Sequence, residues 1–151
     1  MIKIICVGKI KEKFFKDAIE EYKKRLTKYT KINIIEVEDI SINNEELIKQ
    51  KECELILKHI EKKDYIITLE IEGKQLTSIE LSNKIEDLEQ TNPNITFIIG
   101  GSYGLDDEIK KISNFKLSFS KLTFPHQLFR VILLEQIYRA YKIKNHESYH
   151  K

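Results

Sequence analysis

The residues whose types could do chemistry are concentrated between Ile95 and Lys151, which holds three of the five glycines and three of the four histidines. One candidate is the run from Gly100 to Gly104, GGSYG, which follows an apolar segment. Glycine lets a ligand approach bare backbone amides, so this run is typical of a binding turn. It matches neither the dinucleotide fingerprint nor a P-loop, and a tight turn without a ligand is an equal alternative.

The second candidate is the terminal segment HESYHK, in which His146 and His150 have the spacing of the H-E-x-x-H motif. A zinc protease needs both histidines on one helix face and a further ligand, and no apolar stripe or third ligand accompanies this pair. We therefore expect no metal. Two interpretations remain: a frayed terminus, or a tail whose Tyr149, His150 and Lys151 handle protons and charge at a partner's pocket.

Charge is distributed unevenly along the chain, although the formal net charge is only +2. From residue 121 onward six cations face two acids, a balance of +4, which leaves −2 for the first 120 residues. A basic end on a near-neutral body favours a phosphate-rich partner, and a solvated helix face is the alternative. The cations in question are Lys121, Arg130, Arg139, Lys142, Lys144 and Lys151.

Length and composition limit the class of protein. A chain of 151 residues with 41% apolar residues predicts one domain, residues 1–151, that needs no disulfide staples. Cys6 and Cys53 lie in apolar patterns, which indicates small core residues of a reducing, cytoplasmic compartment. No signal-peptide pattern and no run of about 20 apolar residues is present, so we expect no membrane partner.

Five strand patterns alternate with helical patterns, and these elements must position the candidate residues. The predicted strands cover residues 2–7, 32–37, 65–71, 95–99 and 115–119, with Gly73 making the turn after the third. Such alternation predicts an α/β fold with a mostly parallel sheet and helices on both faces. Ligands bind beyond the carboxyl ends of strands in such sheets, here residues 69–73, 100–104 and 119–124.

The last helical pattern is apolar on more than one side, through Leu128, Phe129, Val131 to Leu134, Ile137, Tyr138 and Tyr141. A surface helix leaves one face polar, so we expect one side to pack on the sheet and another on a second copy, as in a symmetric homodimer. A helix buried inside the monomer is the alternative. Pro125 fits the first helical turn and leaves His126 near its positive end, where a structural role is the plain interpretation.

Several segments together identify the sequence as a member of a known family. ITLEIEGK, FIIGGSYGL, LSFSKLTFPHQLFRVILLEQIYRA and the terminal YHK closely resemble the ribosomal large-subunit RNA methyltransferase H family, small members of the SPOUT class. The resemblance covers the whole chain. It implies a trefoil-knotted α/β fold and a homodimer. It also implies S-adenosylmethionine as methyl donor and N3-methylation of a pseudouridine in large-subunit (23S) rRNA.

The resemblance also assigns roles to residues. It places the S-adenosylmethionine site at Leu69, Gly100, Phe119, Ser120, Lys121, Leu122, Thr123 and Phe124, the strand ends selected above. We expect His150 or Tyr149 of the opposite protomer to orient the target base or accept its proton. We expect Arg130, Arg139, Lys142 and Lys144 to contact phosphates, with Lys151 near the target.

One small domain of near-zero net charge can hardly read RNA sequence unaided. The expected partner is therefore the assembled ribosome, which the protein would recognise by the shape of its surface. No DNA partner is expected. Two alternatives remain at this stage. One is a non-catalytic ribosome-associated module that binds S-adenosylmethionine, and the other is a SPOUT methyltransferase that acts on tRNA.

Overall fold

The computed structural model describes residues 1–151 and contains five strands and five helices in alternation. The strands are β1 (Ile2–Val7), β2 (Ile32–Val37), β3 (Asp64–Gln75), β4 (Asn94–Ile99) and β5 (Phe115–Ser118). The helices are α1 (Lys13–Leu26), α2 (Glu45–Leu57), α3 (Ser78–Thr91), α4 (Asp107–Ile112) and α5 (His126–Lys144). None of these helices combines the length and apolarity that a membrane crossing requires.

The strands form one sheet in the order β2-β1-β4-β3-β5, and every pair is parallel. All residues of β1 and β4 are buried, including Lys3, Asn94 and Thr96, as expected for mostly apolar strands in the interior of such a sheet. Helices cover both faces. One core contains side chains of α1, α3 and α5, and a second contains side chains of α2 and α4. The predicted fold class is therefore confirmed.

Local signals determine where several helices begin. The Asn44 side chain accepts a hydrogen bond from the Leu47 N–H at 3.1 Å, which caps α2. Thr77 and Glu80 form a reciprocal capping box at the start of α3. Asp106 caps the short α4 through the Glu108 N–H at 3.0 Å. These caps determine the points at which the chain leaves the carboxyl edge of the sheet.

The third strand differs from the sequence prediction, because Gly73 does not end it. β3 continues to Gln75, and its pairing with β5 shifts in register between Leu69 and Lys74. A Cβ atom on Gly73 would lie 2.7 Å from the Lys116 carbonyl oxygen, so the neighbouring strand leaves no room for a side chain. Gly73 thus permits a close approach of two strands, and residues 70–73 form a bulge beside the carboxyl edge.

The last helix is set more deeply than a surface helix. α5 packs between α1 and α3, and Leu128 is its only exposed residue. These neighbours bury part of its apolar surface, while Phe129, Val131 and Ile132 remain partly exposed.

Candidate active site

A cavity of about 330 Å³ opens at the carboxyl ends of β3, β4 and β5. It is of a size typical of small-molecule sites. The structure brings together seven of the eight residues expected to hold the cofactor: Leu69, Gly100, Phe119, Ser120, Leu122, Thr123 and Phe124 all line the cavity. Lys121 is exposed and is not part of the lining. The three strand ends thus meet at one edge, as the parallel topology requires.

The glycine turn closes on itself at the floor of this cavity. The Gly104 N–H donates to the Gly101 carbonyl oxygen at 3.0 Å, and Gly104 has a φ of 82°, which glycine adopts without strain. A Cβ atom on Gly100 would lie 2.9 Å from the Gly104 carbonyl carbon. The turn is therefore closely packed, and backbone rather than side chain faces the cavity at this point.

Aromatic rings form one wall of the cavity. Phe119 and Phe129 meet edge to face at 5.1 Å, and Phe124 stacks on Phe129 at 6.0 Å. The Leu122 N–H donates to Ser120 Oγ at 3.0 Å, which shapes the loop that carries Phe119 and Phe124. Such a wall can bind a flat aromatic group by stacking.

Several polar residues that were not predicted as site residues also line the cavity, and Glu70 and His126 are two of them. Glu70 follows the cofactor-site Leu69 directly and accepts a hydrogen bond from Thr68 Oγ1 at 2.6 Å. His126 lies in the first turn of α5, and burial, followed by the nearby Arg130 charge, lowers its pKa. The sequence contained a signal for Glu70, because a charged residue at the end of a buried strand is a candidate site residue. His126 was interpreted there as a structural residue. Together they supply a carboxylate and a neutral imidazole.

Arg130 is a correction, because the structure contradicts its expected role at a phosphate. Its side chain is only 3% exposed and forms an ion pair with Glu36 at 2.6 Å. Its Nη2 donates to the carbonyl oxygens of Val7 and Gly8 at 2.9 and 2.6 Å. Arg130 therefore ties α5 to the ends of β1 and β2, and it has no free face for RNA.

The other expected RNA-binding cations are placed differently. Each of the three on α5 pairs with a carboxylate of the same chain: Arg139 with Glu135, Lys142 with Glu147 and Lys144 with Glu89. Lys151 is exposed. Four of the six cations counted from residue 121 onward are thus paired within the fold, and Glu36 and Glu89 offset two charges of the +4 balance.

The C-terminal tail is docked on α5, away from the cavity of its own chain. The Tyr149 hydroxyl donates to Glu135 at 3.1 Å, and its ring meets Tyr138 edge to face at 5.0 Å. His150 Nδ1 lies 3.1 Å from Arg139 Nη1. The tail is therefore packed against its own helix.

The H-E-x-x-H spacing does not produce a helical metal site. α5 ends at Lys144, and His146 has a φ of 55°, so the two histidines do not share a helix face. A separate group, Cys53, Asp106 and Glu108, brings possible ligand atoms within 4.8 Å of one another. Its thiol is protonated, because burial raises the Cys53 pKa to about 12, and it donates to Glu108.

A parallel α/β sheet with a glycine turn and a cavity beyond three strand ends defines a small-molecule-binding α/β enzyme fold, and comparison with known proteins specifies the class. The family model described as "Predicted SPOUT methyltransferase" matches residues 1–150. A solved structure, described as a probable methylase family protein from Haemophilus influenzae Rd KW20, superimposes with a TM-score of 0.59. It is 12% identical and covers 99% of this chain and 70% of its own, which shows a common fold. The chain therefore belongs to the SPOUT methyltransferase class.

Closer relatives specify the family. A protein from Clostridium botulinum strain Hall, named ribosomal RNA large subunit methyltransferase H, is 56% identical over 99% of both chains. A protein from Methanococcus maripaludis, provisionally given the same name, is 57% identical over the same shares. The chain therefore belongs to the ribosomal RNA large subunit methyltransferase H family.

Proposed function

We propose that the protein transfers a methyl group from S-adenosylmethionine to N3 of a pseudouridine of 23S rRNA in the assembled ribosome. The observation that carries the proposal is the glycine-floored cavity at three strand ends, in a chain 56% identical to a ribosomal RNA methyltransferase. Incubating unmodified ribosomes with isotope-labelled S-adenosylmethionine and mapping the labelled nucleotide tests it. Label in tRNA, or no label at all, would contradict it.

The cavity suits S-adenosylmethionine by the chemistry of its lining. Phe119, Phe124 and Phe129 offer rings for a flat purine, and the glycine turn offers backbone. The carboxylate of Glu70 contributes negative charge beside a cationic ligand, and it forms an ion pair at 4.0 Å with Lys110, which also lines the cavity. When bound, the ligand would supply an electrophilic methyl group, so the protein needs no nucleophile of its own.

The contribution of the chain is placement and proton handling. Well-oriented reactions gain about 7 to 11 kcal/mol from positioning alone, and the floor and aromatic wall supply rigid surfaces for it. The acceptor nitrogen must lose its proton. Burial, followed by the Glu135 charge, raises the Tyr149 pKa to about 12, so this phenol keeps its proton at neutral pH. His150 is therefore the better candidate for orienting the base or accepting the proton.

The position of the tail supports a homodimer with a shared active site. Tyr149 contacts Glu135, which lies about 9 Å along α5 from the cavity-lining Phe129, at about 1.5 Å per residue. His150 does not line the cavity of its own chain in this arrangement. A second copy that presents its tail to that cavity completes the site, in agreement with the trefoil-knotted homodimer that the resemblance implies.

The first 31 residues are a second source of positive charge for contact with RNA, besides the C-terminal segment. They contain ten cations and four acids, a balance of +6. Lys9 and Lys11 are exposed in the loop after β1, at the cavity edge of the sheet. The Lys11 N–H donates to Gln127 Oε1 at 3.2 Å, which fixes this loop beside the first turn of α5. We include both lysines, with Lys151 and the paired Lys142 and Lys144, among the RNA contacts of a ribosome-bound, cytoplasmic enzyme.

Replacing Lys9 and Lys11 by alanine is expected to flatten the salt dependence of ribosome binding. Each lost phosphate contact lowers the slope of log affinity against log salt by about 0.7 to 0.9. Filter binding across a salt series measures it. The matched control is alanine at the exposed Lys58 and Lys62, which follow α2 at the opposite edge of the sheet. Equal slopes for the two double variants would remove Lys9 and Lys11 from the interface.

Gly100→Ala is expected to weaken S-adenosylmethionine binding by about tenfold or more, because even a ~1.4 kcal/mol distortion has that effect. The new Cβ atom would lie 2.9 Å from the Gly104 carbonyl carbon and 3.1 Å from Leu105 Cδ2, so the turn must shift. Isothermal titration calorimetry measures the affinity. Tyr103→Ala, at an exposed ring outside the lining, is the control. Unchanged affinity for Gly100→Ala would place the ligand elsewhere.

A further inference from the structure

The chain reverses direction immediately after α5. The Asn145 side chain donates to the Tyr141 carbonyl oxygen at 2.7 Å, and the Glu147 N–H donates to the Lys142 carbonyl oxygen at 2.9 Å. His146 between them has a φ of 55°, a left-handed conformation that ends the helix. The tail consequently returns along α5 instead of continuing beyond it.

The reversed tail is held first through the carboxylate of Glu147. One oxygen accepts from the Tyr29 hydroxyl at 2.9 Å, and the other from Lys142 Nζ at 3.0 Å. Lys28 Nζ lies 3.4 Å from the second oxygen. The Lys142 and Tyr29 hydrogen bonds lower the Glu147 pKa to about 2, so the carboxylate is ionised throughout the physiological pH range. Three separate parts of the chain thus meet at one side chain.

The tail is held a second time through Tyr149. Its ring lies against Tyr138, and the Arg139 guanidinium sits 4.8 Å from the ring centroid. Arg139 also donates a hydrogen bond to Glu135, which accepts a second one from the Tyr149 hydroxyl. Glu147 and Tyr149 are thus two anchors of the tail, separated only by Ser148, which is exposed and makes no hydrogen bond. His150 follows the second anchor directly. The position of the His150 ring is therefore determined by both anchors.

We propose that Glu147 is a positioning residue for the reaction: its contacts with Tyr29 and Lys142 fix the path of the tail and hence the place at which His150 meets the target base. This inference rests on the proposed function. Lys142 then holds the tail in addition to contacting RNA. Tyr29, more than a hundred positions from Glu147 in the sequence, then contributes to turnover.

The sign of the Glu147→Gln effect separates this role from simple charge attraction. The substitution makes the chain more positive, so attraction to phosphates alone predicts equal or tighter ribosome binding and no loss of turnover. Loss of the anchor predicts the opposite for turnover. Misplacement of a reacting group by about 1 Å can cost about 10²-fold, so we expect kcat to fall by about 10- to 100-fold.

The chain contains a closely matched control. Glu89 accepts from the Tyr141 hydroxyl at 2.9 Å and from Lys144 at 2.9 Å, the same pair of donor types on the same helix. The two carboxylates are equally exposed, with 27% for Glu89 and 29% for Glu147. Glu89 does not touch the tail. Glu89→Gln should therefore keep kcat within about twofold of the wild type.

The experiment compares Glu147→Gln, Tyr29→Phe and Glu89→Gln for kcat on unmodified ribosomes and for S-adenosylmethionine affinity. Affinity should be unchanged in all three, and kcat should fall in the first two alone. Because the chain has no tryptophan, Ser148→Trp provides a reporter of tail mobility by fluorescence anisotropy. We expect anisotropy to fall when Glu147→Gln or Tyr29→Phe is combined with the reporter.

Equal kcat for the Glu147 and Glu89 variants, or an unchanged anisotropy, would overturn the positioning role. A wild-type protein that labels no ribosomal RNA would instead overturn the proposed function. The anisotropy comparison, which needs no catalysis, would still decide in that case whether Glu147 anchors the tail.

Discussion

His150→Ala is expected to lower the turnover of methyl transfer by about 10²- to 10⁴-fold, the range typical of a lost general acid or base. S-adenosylmethionine affinity should stay within about twofold. The physical reason is the separation of the two sites: His150 contacts Arg139 on α5 and is not part of the cavity lining. Single-turnover labelling of unmodified ribosomes measures the chemical step, and calorimetry measures the affinity.

His146→Asn is the matched control for that experiment. His146 is exposed in the same tail, and asparagine tolerates its left-handed backbone, with φ 55°. Turnover near the wild-type value is expected for this variant. Full turnover of His150→Ala would show that the tail does not act through an imidazole.

Arg130→Met is expected to destabilise the fold by about 2 to 4 kcal/mol, because each buried acceptor that loses its donor costs about 1 to 3 kcal/mol. The carbonyl oxygens of Val7 and Gly8 would lose their donor, and Glu36, whose side chain is 33% exposed, would lose its ion-pair partner. Urea denaturation followed by circular dichroism measures the free energy of unfolding.

Lys24→Met serves as the comparison, since Lys24 is exposed on α1 and such substitutions usually change stability by less than about 0.5 kcal/mol. If Arg130→Met unfolded at the same urea concentration as Lys24→Met, the buried network would contribute nothing. A loss of ribosome binding without a loss of stability would restore Arg130 to the RNA interface.

Much of the architecture could be read from periodicity. Mostly apolar runs at residues 2–7 and 95–99 identified two of the interior strands, because a strand buried on both faces lacks a regular polar alternation. Alternation of strands and helices then predicted a parallel sheet, and the sheet predicted which loops share an edge. The same geometry predicted that residues from three loops far apart in sequence share one site, and all three loops line the cavity.

Arg130 and Gly73 show where that reasoning fails. A charge count treats every arginine as exposed, whereas Arg130 has buried partners supplied by β1 and β2, more than ninety residues away. A glycine after a strand pattern suggests a turn, whereas the constraint on Gly73 comes from the Lys116 carbonyl oxygen of a neighbouring strand. Both errors arise because the deciding atoms are distant in sequence.

By itself, the sequence determined the α/β class, the cavity edge and the residues that surround it, because these depend on local periodicity and on the geometry of parallel sheets. Only the tertiary structure decided that α5 packs between α1 and α3, and that the cations of α5 form ion pairs within the chain. It also decided that the tail folds back through Glu147 onto Tyr29. These features depend on which side chains meet across the fold, and a one-dimensional pattern of residue types contains no such distances.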